Sequence, residues 1–159
     1  MLRTLLISAV SGAALTLSAA TFAQQGQFGA PQEAKAMLDK AVATVKADQA
    51  VALAMFIKGE GGFKDRDLYP FCTNISDGKI LPFANANAKQ LFGTDARDLK
   101  DPTGNDFGKE LYAAGQKPEG EITEVIYMFS RPGDPKPVPK VSFVTRASPD
   151  IYCGVGYYK

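Results

Sequence analysis

A chain of 159 residues with 18 basic and 17 acidic side chains, no histidine and no tryptophan excludes several classes of function at once. Balanced charge without a basic run argues against a nucleic-acid or anionic-membrane partner. Without histidine there is no Ser-His-Asp or Cys-His arrangement, no haem-attachment motif and no ordinary zinc site, so the composition points away from an enzyme and implies no cofactor or metal.

The first residues read as an export signal. Arg3 is the only charge before an apolar run from Leu5 to Leu17, and Ser18–Ala23 supplies small residues in an A-x-A-like pattern. Cleavage is expected after Ala23, with Ala20 as the alternative. The apolar run is shorter than the ~20 residues of a membrane span, and no later segment is apolar enough to span, so the processed chain is expected in the periplasm or outside the cell, with no membrane insertion. Residues 24–30 form a short, flexible, polar leader, and 31–159 amount to one domain.

Pro31 suits a first helical turn and opens a helix expected to run to about Lys58, with Leu38, Ala41, Val42, Val45, Ala52 and Phe56 on one stripe. Gly59, Gly61 and Gly62 end it. A strand is expected over 67–75, then a hairpin turn at Asn74–Gly78, then a returning strand over 79–84 that Pro82 marks as an edge. Two short helices follow, over 87–92 and about 105–114, each stopped by a glycine (Gly93 and Gly115). The last third reads as three strands, 122–130, 140–146 and 151–158, the first two joined by the Pro-rich loop 131–139. Antiparallel strands with segregated helices make an α+β domain.

Five local motifs stand in order along the chain: Asp67-Leu68-Tyr69-Pro70-Phe71, Ser76-Asp77-Gly78-Lys79-Ile80-Leu81, Asp98-Leu99-Lys100-Asp101-Pro102-Thr103-Gly104, Pro139-Lys140-Val141-Ser142-Phe143-Val144 and Cys153-Gly154-Val155-Gly156-Tyr157. With the order of elements they resemble the single Cache domain of bacterial extracytoplasmic sensing. The resemblance covers the chain from about residue 33 to its end. It implies a PAS-like fold in which a five-stranded antiparallel sheet, ordered 2-1-5-4-3, carries the long helix along one face. It also implies a sensor of small molecules, often carboxylates or amino acids. Such a domain works with a partner, a membrane receptor or a kinase.

With that strand order Cys72 and Cys153 fall on neighbouring strands. A structural disulfide is the expected state in an oxidising compartment, with buried free thiols or a redox or metal role as alternatives. Tyr69 and Phe71 share one face of their strand, as Tyr127 and Phe129 do of theirs; they line a small-molecule pocket or serve as plain core. Asn85, Lys140 and Arg146 are the polar ligand-binding candidates, against solvated strand ends, and Lys140 and Arg146 share a parity that Phe143 does not. Gly154 and Gly156 mark a close approach, with packing against the first helix as the expected cause.

Other patterns carry less. The cluster 59–62 follows a helix instead of opening one and lacks the phosphate-loop ending. The loop 101–106 has oxygen ligands, but a calcium loop would need an acid where Tyr112 stands. Glu119, Glu121 and Glu124 sit at a charged strand start. Three functional readings remain: an exported small-molecule-binding domain, a protein-interaction module whose pocket is filled by Phe71, Phe83 and Phe143, and an enzyme built on a buried carboxylate or lysine facing a cavity.

Overall fold

The computed structural model describes residues 26–159; the export signal over 1–23 lies outside the described residues. Helix α1 (Pro31–Ala47) starts with proline in its first turn, and the Glu33 carboxylate accepts the Ala30 backbone N–H at 2.7 Å. Its buried residues, Ala34, Met37, Leu38, Ala41 and Val45, recur at helical spacing. The helix does not run on to Lys58. Asp48 adopts an extended conformation (φ −160°, ψ 105°), and its carboxylate accepts the Val51 N–H at 3.0 Å, so it caps a second helix, α2 (Gln49–Lys58). Gln49 is held in turn by the Ser148 hydroxyl at 2.8 Å. Gly59 closes α2 in the left-handed region (φ 71°).

The sheet is antiparallel throughout and has four strands, not five: β1 (Pro70–Asn74), β2 (Thr123–Ser130), β3 (Pro137–Arg146) and β4 (Ile151–Tyr158), ordered β1-β4-β3-β2. The strand expected over 79–84 contributes a single bridge, Thr73 to Ile80. It bonds to β1 twice, the Asn74 N–H to the Lys79 carbonyl and the Leu81 N–H to the Cys72 carbonyl. The Ile80 backbone between them faces outward, its N–H on Thr94 and its carbonyl accepting from Gly93, and among the described residues no bond to β1 follows Leu81. The order 2-1-5-4-3 is therefore corrected to the four-stranded one. The short helices are also revised. The segment expected over 87–92 is a 3-10 helix, Ala86–Leu91, a second 3-10 turn covers Ala96–Asp98, and α3 spans Phe107–Gly115.

Alternation along β4 divides the molecule in two. Ile151, Cys153 and Val155 join Leu38, Val45, Phe56 and Phe63 in the core beneath α1 and α2. Tyr152 faces the other way, into a second core with Phe83, Phe107, Leu111 and Tyr127 under α3 and the 3-10 segments. Cys72 and Cys153 stand opposite each other on β1 and β4, with Cα atoms 4.1 Å apart, and form a disulfide. The leader is in contact with the domain from Gly26 on. Arg66 donates to the carbonyls of Gly26 and Phe28, and the Gly29 N–H donates to buried Asp67 at 2.7 Å.

Among the described residues no helix is long and apolar enough to cross a membrane.

Candidate functional site

The second core encloses the candidate site. Lys140 lies in the middle of β3, directly opposite Tyr127 of β2 on one side and Tyr158 of β4 on the other. Its side chain is only 1% exposed, an unusual place for a lysine. The space for it comes from β4. A Cβ on Gly156 would overlap the Lys140 Cε and the Ser142 Oγ, and a Cβ on Gly154 would overlap the Phe71 ring. The two glycines therefore serve the pocket face, not the packing of α1 expected from the sequence. Replacing Gly156 with valine forces Lys140 out of place; we expect a loss of about 1–3 kcal/mol of stability in urea unfolding, as overpacking of a filled interior costs.

The Lys140 ammonium is surrounded by aromatic rings. Its nitrogen lies 4.5 Å from the ring centroid of Tyr69, 4.9 Å from Tyr158, 5.1 Å from Phe129 and 5.7 Å from Phe71. Desolvated cation–π contacts are worth about 2 kcal/mol each, against a desolvation penalty of several kcal/mol for a buried ion. The rings offset much of that penalty, and no carboxylate does. Among the described residues no acidic side chain forms an ion pair with Lys140.

The hydroxyls around the lysine form a directed chain. Lys140 Nζ and Asn85 Nδ2 each donate to the Tyr69 oxygen at 2.9 Å. Tyr158 donates its proton to the Ser130 carbonyl at 2.8 Å, so in its 3.3 Å contact with Tyr69 the donor is Tyr69. The two acceptor positions of Tyr69 are then filled from within the protein. Lys140 has three N–H donors and spends one of them. Desolvation works against the ammonium, while the Tyr69 oxygen that accepts from it and the rings around it work in its favour. Burial pushes the Tyr127 hydroxyl up, so this phenol is neutral; it shares a 2.8 Å hydrogen bond with Ser142.

Of these groups, Lys140, Tyr69, Tyr127, Phe71 and Phe129 line a chamber with about 30 Å³ of free space. Its roof is apolar: Ile80, Phe83, Leu91, Leu99, Phe107 and Leu111 close it over the sheet, with Phe107 stacked on Tyr127 at 4.2 Å and Phe83 on Tyr69 at 5.4 Å. Among the described residues, Lys140 is the only charged one in the lining.

Five of the seven ligand candidates, Tyr69, Phe71, Tyr127, Phe129 and Lys140, line this chamber. Asn85 is buried one layer out, where it holds Tyr69 and caps the 3-10 helix through Asn87. Arg146 is elsewhere. It sits at the far end of β3 opposite Tyr152, with its guanidinium on the Pro149 carbonyl. Six residues of strand are about 20 Å, too far for Lys140 and Arg146 to share one small chamber, whatever their parity. Tyr158, Ser142 and Phe107 were not singled out from the sequence. Tyr158 shares a parity with Gly154 and Gly156, which was the available signal.

A buried carboxylate, Asp101, lies outside the chamber lining. Asp101 accepts from the Thr103 hydroxyl, the Met128 N–H, and the N–H groups of Thr103 and Asn105, tying loop 99–106 to β2 and holding its carboxyl down at about 2. Its oxygens are occupied by these donors, and among the described residues no group of acidic side chains or cysteines is placed to hold a metal ion. A depressed carboxyl contributes stability above its unfolded pKa, and that contribution is lost as the pH falls through about 2. We expect the melting temperature to fall on acidification from about pH 5 to about pH 2, and less steeply in Asp101→Asn, as read by thermal scans.

Arg131 connects Tyr158 to the segment just before α1. It pairs with Asp67 at 3.3 Å and lies over the rings of Phe28 at 4.2 Å and Tyr158 at 5.0 Å.

The sequence model of the family "Single Cache domain 2" matches residues 30–159. No curated protein matches the chain. Solved structures share the fold. A methyl-accepting chemotaxis protein from Vibrio parahaemolyticus RIMD 2210633 superposes with a TM-score of 0.62 at 23% identity, over 80% of this chain and 86% of that one. A periplasmic sensor domain of a chemotaxis protein gives 0.57 at 23% identity over 80% and 88%. A Cache chemosensory domain, described for its recognition of carboxylic acid, gives 0.56 at 24% identity over 80% and 86%. With a family match that runs across the whole described domain, the chain belongs to the single Cache domain 2 family.

Proposed function

We propose that this protein is a sensor-type binding domain that holds a small monocarboxylate on Lys140 and presents the bound state to a membrane receptor or kinase from the periplasmic side. One observation carries the reading: a buried ammonium, ringed by aromatics, faces a cavity with no carboxylate of its own and with unspent N–H donors. A carboxylate supplies the missing charge and the missing acceptors. The lining also speaks to ligand class. It contains no acidic side chain to receive an α-ammonium and no second cation for a second carboxylate, so amino acids and dicarboxylates fit poorly. The carboxylic-acid recognition described for one fold relative agrees with this choice.

The enzyme reading has less support, since the fold relatives are sensor domains of chemotaxis proteins.

One observation favours a second reading. The free space of about 30 Å³ is room for water, not for an organic acid, as expected of an interaction module with a filled pocket, an accessory subunit of a membrane receptor. Phe71 and Phe83 do lie in the chamber wall, whereas Phe143 packs on the opposite face of the sheet.

A thermal-shift panel of monocarboxylates, dicarboxylates and amino acids separates the two. At a hundredfold excess over its dissociation constant a ligand adds about 2.7 kcal/mol, several degrees for a domain of this size. Shifts confined to monocarboxylates support the sensor reading. A flat panel on folded protein favours the module.

A further inference from the structure

A larger cavity of about 200 Å³ adjoins the chamber on its outer side. Leu91, Leu99, Phe107 and Phe129 belong to the walls of both, so four apolar side chains are all that the two spaces share as a partition. Phe129 is half-buried on β2, the edge strand of the sheet, and its ring centroid lies 5.1 Å from the Lys140 nitrogen. The step from the ammonium to the outer cavity is thus one ring deep.

The outer rim has polar residues, but their groups are engaged. Asn87 donates to the Arg131 carbonyl, Gln90 to Asn87, Ser130 to the Pro135 carbonyl, and Lys100 pairs with Asp106 at 3.0 Å. The Asp101 oxygens are filled as described above. The one cation among the rim's described residues, Lys100, is exposed and shares the Asp106 carboxylate with Lys109, while Met128, Pro102 and Pro137 add to the rim's apolar surface.

Resting on the assignment of Lys140 as the carboxylate anchor, we propose that the ligand is a monocarboxylate with an extended apolar tail. The head group sits on Lys140, and the tail passes between Leu91, Leu99, Phe107 and Phe129 into the outer cavity. The small chamber is then the head-group end of a two-part site, and the outer cavity sets the chain length accepted.

Calorimetric titration of the full chain with acetate, propionate, butanoate, hexanoate and octanoate tests this. Affinity is expected to rise by roughly fourfold for each methylene that enters the outer cavity. Gln90 is an exposed residue on the cavity wall, so Gln90→Trp fills the space without disturbing the core. It should erase the gain from butanoate onward and leave propionate unchanged, and Pro102→Trp on another part of the wall should act alike. Binding of acetate and propionate with no gain for hexanoate overturns the proposal and leaves the Lys140 anchor standing. A gain that survives both tryptophans also overturns it, because the tail then lies elsewhere. Failure of every monocarboxylate to bind removes the anchor and the tail site together.

Discussion

Lys140→Met abolishes monocarboxylate-induced stabilisation and leaves the protein without ligand at least as stable as the parent. Both halves follow from the same geometry. The side chain is buried and its charge has no carboxylate partner, so folding bears a desolvation cost that the rings of Tyr69, Phe71, Phe129 and Tyr158 offset only in part. Methionine fills a similar volume without that cost, and replacing buried ions by apolar residues of like size is commonly neutral or stabilising by about 1–4 kcal/mol. The change leaves Tyr69 with one donor fewer, a loss of about 1 kcal/mol that works in the other direction. The ligand response depends on the ammonium itself and should vanish, a loss of about 2.7 kcal/mol at a hundredfold excess of ligand. Urea unfolding with and without propionate measures both. A variant that is several kcal/mol less stable would mean that Lys140 is a structural post instead of a binding group kept at some cost to the fold.

Opening the disulfide has the largest expected effect on the fold. Cys72 and Cys153 are 81 residues apart in sequence, so the bridge closes most of the domain into one loop. Chain-entropy arguments give about 4–5 kcal/mol for a loop of this length. The total stability of such domains is about 5–15 kcal/mol, so this is a large share. Cys72→Ala with Cys153→Ala should therefore lower the melting temperature by roughly ten to twenty degrees. The bridge joins β1 to β4, and β1 supplies Phe71 and follows directly on Tyr69. Ligand response should weaken in step with stability. An unchanged melting temperature would show that the strand pairing and the core beneath α1 hold β1 without the bridge.

Much of this architecture is legible in the chain because burial alternates. In β4 the apolar Ile151, Cys153 and Val155 alternate with Tyr152, Gly154, Gly156 and Tyr158, and that pattern already separates a helix face from a pocket face. The clustering of Tyr69, Phe71, Tyr127, Phe129 and Lys140 follows from the same parity once the strands are in order. Three features were not legible for identifiable reasons. Helical periodicity runs through Asp48 without a break, so only the capping bond to Val51 shows that one helix is two. The segment 79–84 has the composition of a strand, but it bonds to β1 only through Lys79 and Leu81 and pairs on its other side with residues 93 and 94, a tertiary choice that local sequence does not encode. Arg146 has the right charge and parity, yet distance along the strand separates it from Lys140. Parity says which face a side chain takes and nothing about how far along that face a partner lies.

A crystal structure of the protein grown with propionate tests Lys140 as the carboxylate anchor. The carboxylate is expected on Lys140 Nζ, enclosed by Tyr69, Tyr158 and Phe129, with the apolar roof displaced just enough to admit it. A structure in which propionate binds away from Lys140, or in which the chamber stays closed at saturating propionate, would contradict it.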